Sequence, residues 1–312
     1  MSVTLAFNCD LNTQIRVLED EKIIKVDDQL EPHEIPSWLT DKYMENILQK
    51  YREDPTLKVK RLIVQQCGGK GESYASIIYR VGTFYNCIEH QETPNFGSYI
   101  IKTLPSHELA KEKLGKSHYN VQQKEMEMYQ NILPEFNRIL KSVGEHGNIS
   151  PKALSIDDVH EVIVLEDLME KKFVMNDRFK GLDLQHTHMA LKKLASMHAC
   201  SIIMLEKHPK AFENFDFGMF NRKTSAYHIY FQSILEAVVN EVGQWPGYEY
   251  YAGKLRNILK TMLENAMTAF DCEDGDFHVL IHGDLWTNNI MFKYDADGNI
   301  IDNVMVKTLS QS

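Results

Sequence analysis

The chain has 312 residues, 43% of them hydrophobic and 25% charged, and a formal net charge of −10. This composition suits a globular protein with one large domain or two lobes sharing a cleft. The acidic balance excludes a broad electrostatic footprint for nucleic acid or an anionic membrane, but leaves room for a local basic pocket that meets phosphates.

Residues 1–35 are polar and mixed, without a clear period, and read as a lead-in segment. Helical spacing starts near Trp38-Leu39, runs through Tyr43, Ile47 and Tyr51, and ends before Pro55. Strand-like runs follow at Val59 to Gln66 and Tyr74 to Tyr85, separated by Gly68-Gly69-Lys70-Gly71-Glu72-Ser73, with a third at Ser98 to Thr103. Gln122 to Lys141 reads as an amphipathic helix that Pro134 must bend or break. Glu161 to Leu168 is a short β-branched strand. From Asp183 the pattern is mainly helical: an apolar stripe from Leu184 to Leu205, then Ala226 to Val242 and Lys254 to Phe270. A strand at His278 to Ile281 and a hairpin from Ile290 to Val306, turning at Asp297-Gly298, close the series. The expected organisation is α+β: an N-lobe over 36–168 built on a small antiparallel sheet, and a mainly helical C-lobe over 169–312.

The strongest local signal is the run from Val279 to Asn289, in which His282-Gly283-Asp284 follows an apolar segment and Asn289 stands five residues after Asp284. Phosphoryl transfer needs a carboxylate beside the acceptor hydroxyl and a neutral oxygen ligand for magnesium. Asp284 and Asn289 supply both from one turn, although Asp and Asn are also ordinary turn-formers after a buried segment. The glycine turn suits a phosphate cradle, since Gly69, Gly71 and Ser73 let backbone amides approach; a plain hairpin turn explains it nearly as well. Lys102 shares a strand face with Ile100, which makes it either an edge snorkel or a functional charge. Glu125 heads a series with Tyr129, Ile132 and Phe136 that should face the sheet, or else it is a solvated helix start. A glycine turn, Lys102 and Glu125 in this order are what an ATP-binding lobe requires.

The five cysteines, Cys9, Cys67, Cys87, Cys200 and Cys272, are odd in number and scattered, without a Cys-x-x-Cys spacing. They indicate neither a disulfide framework nor a zinc knuckle and fit a reducing compartment. Acidic residues Asp10, Glu19 and Asp20 argue against a signal peptide, and no stretch reaches the roughly 18 apolar residues of a membrane span. A cytoplasmic location is expected; the sequence says nothing of protein partners. A hydrolase using His282 and Asp284 lacks support, since neither a Gly-x-Ser-x-Gly elbow nor a His-Glu-x-x-His site is present.

Six segments in order give the chain a wider resemblance: Gly71 to Ser76, Ile101 to Pro105, Glu125 to Tyr129, Leu165 to Leu168, Leu194 to Ala199 and His282 to Phe292. Together they resemble the insect ecdysteroid-kinase-like family, related to choline kinases and aminoglycoside phosphotransferases, over about residues 30–306. The resemblance implies a bilobal protein-kinase-like fold and an ATP- and Mg2+-dependent small-molecule kinase. Its acceptor would be a hydroxyl of a small molecule, with ecdysteroid as the family-based choice. It implies that Lys102 contacts the ATP phosphates, Glu125 pairs with it, and Asp284 is the catalytic carboxylate. The backbone from Glu166 to Leu168 would meet adenine. His282 would brace the loop, His198 would be a satisfied core residue, and His186 and His188 would bind no metal.

One departure stands out. Where the family carries Asp-Phe-Gln after the hairpin, with a magnesium-binding aspartate, this chain reads Val306-Lys307-Thr308 and ends at Ser312. The C-lobe is therefore expected to be incomplete and truncated. A catalytically incompetent, nucleotide-binding remnant is the alternative reading.

Overall fold

A computed structural model of the protein describes residues 35–67, 76–87, 90–103, 121–215, 220, 222, 226–269, 271, 275 and 278–306. The helical spacing after Trp38 becomes helix α1, Asp41–Arg52, whose N-cap Thr40 accepts the N–H of Tyr43 at 3.2 Å. Acidic Asp41 in its first turn and basic Lys50 and Arg52 in its last suit the helix dipole. Its buried Met44, Ile47 and Leu48 pack on one face of a sheet.

That sheet is antiparallel and contains β1 (Lys58–Cys67), β2 (Ile77–Cys87), β3 (His90–Thr103), β4 (Ala153–Asp157) and β5 (Val162–Glu166), in the order β1-β2-β3-β5-β4. Alternation along each strand sorts its side chains. Tyr79, Val81, Tyr99, Ile101 and Val164 face α1. Ile100, Ile163 and Leu165 face the opposite side, where they join a second core. Register then puts Lys102 on that second side, opposite Ile78 on β2 and Ile163 on β5. β3 starts well before the expected Ser98, because β2 continues pairing with it back to His90. The short β4 is not among the expected strands, and it is half-buried along its whole length.

The second side is covered by a helix in three pieces: α2 (Val121–Glu127), a π-helical turn (Met128–Ile132) and α3 (Leu133–Ser142). Pro134 explains the interruption. Its ring clashes with the carbonyl four residues back in a regular helix and it has no N–H to give, and a widened turn relieves both.

The C-terminal region is mainly helical: α4 (Leu184–Lys207), α5 (Ala226–Val242), α6 (Glu249–Leu259) and α7 (Met262–Thr268). Asp183 caps α4 by accepting the N–H of His186 at 3.0 Å. The single helix expected over Lys254 to Phe270 is instead two, parted at Lys260-Thr261, and the first begins earlier, at Glu249. A three-stranded sheet, β6 (Phe173–Met175), β7 (Ile290–Tyr294) and β8 (Ile300–Met305), lies in the order β6-β7-β8. The β7–β8 hairpin turns where expected, with Gly298 at φ 84°, a conformation that glycine adopts without steric cost.

The expected strand at His278 to Ile281 does not form. Residues 278–282 lack regular structure, and the N–H of Leu280 goes to the side-chain Oγ of Ser201 on α4 at 3.0 Å rather than to a neighbouring strand. The apolar run is there to bury Leu280. The architecture is α+β and kinase-like, with an antiparallel-sheet N-terminal region and a helical C-terminal region. Among the described residues, no helix is long and apolar enough to cross a membrane.

Candidate functional site

Lys102 on β3 and Glu125 on α2 meet in the interior. Lys102 is only 6% exposed and Glu125 only 1%, and the Lys102 Nζ touches both carboxylate oxygens. The strand alternation aims the lysine at the helix, and the helix presents Glu125 with Met126, Tyr129, Ile132 and Phe136, all buried. Desolvating two charges is expensive, and a well-packed apolar pair would stabilise a fold at least as well. The pair makes better sense as a held cation than as a source of stability.

A second cluster lies on the segment leading into β7. Gly283 has φ 79°, which lets the chain reverse there. The buried His282 braces the reversal, its Nδ1 accepting the backbone N–H of Asp284 at 3.3 Å. Asn289 closes the loop: its Nδ2 donates to the Asp284 carbonyl at 2.8 Å and to the Asp284 carboxylate at 2.9 Å. The N–H of Val306, just past β8, donates to the Asn289 carbonyl at 2.9 Å. With its amide hydrogens turned to Asp284, Asn289 keeps its side-chain oxygen for another partner. Among the described residues, no group of three or more His, Cys, Asp or Glu side chains could hold a metal. A magnesium ion here would have to take most of its ligands from phosphates and water, as Mg2+ commonly does.

One core ties the two clusters together. It contains Met126 beside Glu125 and Ile163 opposite Lys102, and it also contains Leu280, with Leu285 packed against it beside Asp284.

The segment Glu166–Leu168 runs from β5 to a 3-10 turn, Leu168–Lys171. Glu166 is already engaged. Its N–H goes to the Lys152 carbonyl at 3.0 Å, one carboxylate oxygen accepts the Lys152 N–H at 2.9 Å, and the other pairs with Lys171. Leu168 is buried against Phe173, Met291 and Val304 of the β6-β7-β8 sheet. Between them is a residue that sequence reasoning missed. The buried Asp167 carboxylate accepts from Arg80 Nε at 2.8 Å, Ser98 Oγ at 2.7 Å and the Met169 N–H at 3.0 Å. The only signal for it was its place inside the Leu165 to Leu168 segment.

Gly69, Gly71 and Ser73 lie outside the described residues, as do Lys307 and Thr308. His198 is not the satisfied core residue expected, since its buried Nε2 has no hydrogen-bond partner. Burial accordingly pushes its pKa down. His186 ties the N-terminus of α4 to β7: Nδ1 meets Asp183 at 2.7 Å, Nε2 meets the Tyr294 hydroxyl at 2.7 Å, and the ring stands edge-on to Phe292.

The model of the ecdysteroid kinase-like family matches residues 70–306, most of the chain and all of the residues above from Arg80 to Val306. A search of curated proteins finds no match.

Proposed function

We propose, since the chain belongs to the ecdysteroid kinase-like family, that it is a phosphotransferase passing the γ-phosphate of ATP to a hydroxyl of a small molecule. The buried Lys102–Glu125 pair carries this reading, because a lysine fixed by a carboxylate grips nucleotide phosphates without swinging away. In it, Glu166 to Leu168 pass beside the base, and the backbone at Leu168 meets it, since Glu166 spends its N–H on Lys152. The glycine turn at Gly69, Gly71 and Ser73 covers the phosphates.

Asp284 orients the acceptor hydroxyl and receives its proton, and the hydrogen bond from Asn289 holds that carboxylate in one rotamer. The Asn289 side-chain oxygen would hold Mg2+, which when bound neutralises charge on the phosphates. An ecdysteroid is the acceptor that the family suggests.

One observation favours a second reading, a nucleotide-binding protein that does not transfer phosphate. Val306 is bonded to Asn289, and the next residues in the sequence are Lys307 and Thr308, neither of which is a carboxylate. Titration with Mg-ATP, followed by ATP turnover with a panel of steroid and other small alcohols, separates the two. Binding with turnover supports the kinase, binding without turnover supports the second reading, and no binding overturns both.

A further inference from the structure

We propose that Asp167 is a positioning residue that fixes the separation between the base-binding and phosphate-binding halves of the nucleotide site. The proposal rests on the reading of that site given above.

Asp167 is 4% exposed, yet its two carboxylate oxygens serve three different elements. One oxygen accepts the N–H of Met169 and so caps the turn Leu168–Lys171. The other accepts from Arg80 on β2 and from the hydroxyl of Ser98 on β3. The same turn reaches Ser98 a second time, because Glu170 accepts the Ser98 N–H at 2.7 Å. The segment proposed to meet the base is thus fastened at two points to one residue of β3.

Ser98 shares its strand face with Ile100 and Lys102. Four residues of extended chain separate Ser98 from Lys102, a rise of about 13 Å. A strand within a sheet barely stretches, so fastening Ser98 to the turn sets how far Lys102 stands from the base. Arg80 sits in register with Ile100, between the two ends, and its ion pair ties β2 to the same carboxylate. Glu125 then fixes the direction of Lys102 at the far end. An ordinary stabilising ion pair would join two partners; this carboxylate joins the turn beside the base to the strand that carries Lys102.

The test compares three ligands on the full chain with Mg2+ present: ATP, adenosine and inorganic tripolyphosphate. Each half-ligand needs only one half of the site, whereas ATP needs both at the right spacing, and its advantage over the fragments measures that spacing. Asp167→Asn keeps the volume and an acceptor for Met169 but removes the charge facing Arg80. It is expected to weaken ATP about tenfold while changing adenosine and tripolyphosphate less than about twofold. Ser98→Ala, which leaves the Arg80 pair in place, should act in the same direction with a smaller effect, and it decides the matter if Asp167→Asn fails to fold. Equal losses for all three ligands, or unchanged ATP affinity, overturn the proposal. A wild-type chain that binds none of the three overturns the nucleotide reading and this inference with it, whereas wild-type ATP binding with an indifferent variant overturns the inference alone.

Discussion

The Lys102 ammonium lies against both oxygens of the Glu125 carboxylate, although 23 residues separate them in the chain and neither is open to water. Removing either partner leaves the other as a buried uncompensated charge, which typically costs about 3–5 kcal/mol. Glu125→Ala is therefore expected to lose more stability in chemical denaturation than the pair Lys102→Met with Glu125→Leu. Nucleotide affinity should fall in Lys102→Ala and in Glu125→Ala, with the double variant less than additive. Independent, additive losses would show that the two side chains do not act as one unit.

Asp284→Asn should lower any phosphate transfer by about 10²–10⁴-fold, the usual loss for a positioned base. ATP binding should hardly change, because the substitution retains an oxygen to accept from Asn289. Single-turnover transfer and equilibrium titration measure the two halves of this statement. A variant with near-normal transfer would reduce Asp284 to a turn residue.

Cysteine reactivity reports on the site without requiring turnover. Cys67 ends β1 in register with Ile78, which in turn faces Lys102 across β2 and β3, and it is partly exposed. Mg-ATP is expected to slow its alkylation, read by peptide mapping. Cys200 on α4 is buried, and its thiol is pushed up to about 11 by that burial. Since the thiolate is the reacting form, Cys200 should be labelled only after unfolding. Labelling of Cys67 at the same rate with and without nucleotide would count against the placement of the phosphates.

Glu45 gives a pH signature. Hydrogen bonds from Lys42 and Lys58 and from the Val59 N–H hold its pKa down to about 2, against 4.5 for an ordinary glutamate. A depressed folded pKa means stability that is complete above the unfolded value and drains away as pH falls through the folded one. The wild type should thus lose this contribution between about pH 4.5 and 2, and Glu45→Gln should flatten the slope in that window. Parallel acid-unfolding curves for the two proteins would refute it.

Much of the site was legible because its geometry follows local periodicity. Alternation alone placed Lys102 on the side of Ile100, and helical spacing alone turned Glu125 inward. The tie between Asp284 and Asn289 is likewise a matter of five residues within one loop. Asp167 was not legible, since its partners Ser98 and Arg80 lie 69 and 87 residues away and no local pattern announces them. The segment at His278 to Ile281 misled for a related reason. An apolar run looks the same whether its N–H groups pair with a strand or, as here for Leu280, with a side chain of a distant helix. The break at Lys260-Thr261 carries neither proline nor glycine to announce it.

The π-helical turn at Met128–Ile132 has a consequence for how this helix can change. Each residue of a regular helix advances the azimuth by about 100°. The widened turn therefore takes up one extra residue between two halves with separate duties, so that each keeps its own aim. The half before it aims Glu125 at Lys102, and the half after it lays Phe136, Ile139 and Leu140 into the core shared with Met197 and Cys200 of α4. Deleting one residue, Gln130 or Asn131, would close the widened turn and press Pro134 against the carbonyl four residues back. Adding a further residue would instead swing one half relative to the other by about 100°. Either the carboxylate would leave the lysine or the apolar face would leave its core. Insertions and deletions should be as damaging here as substitutions of the charged pair, although Gln130 and Asn131 themselves are exposed.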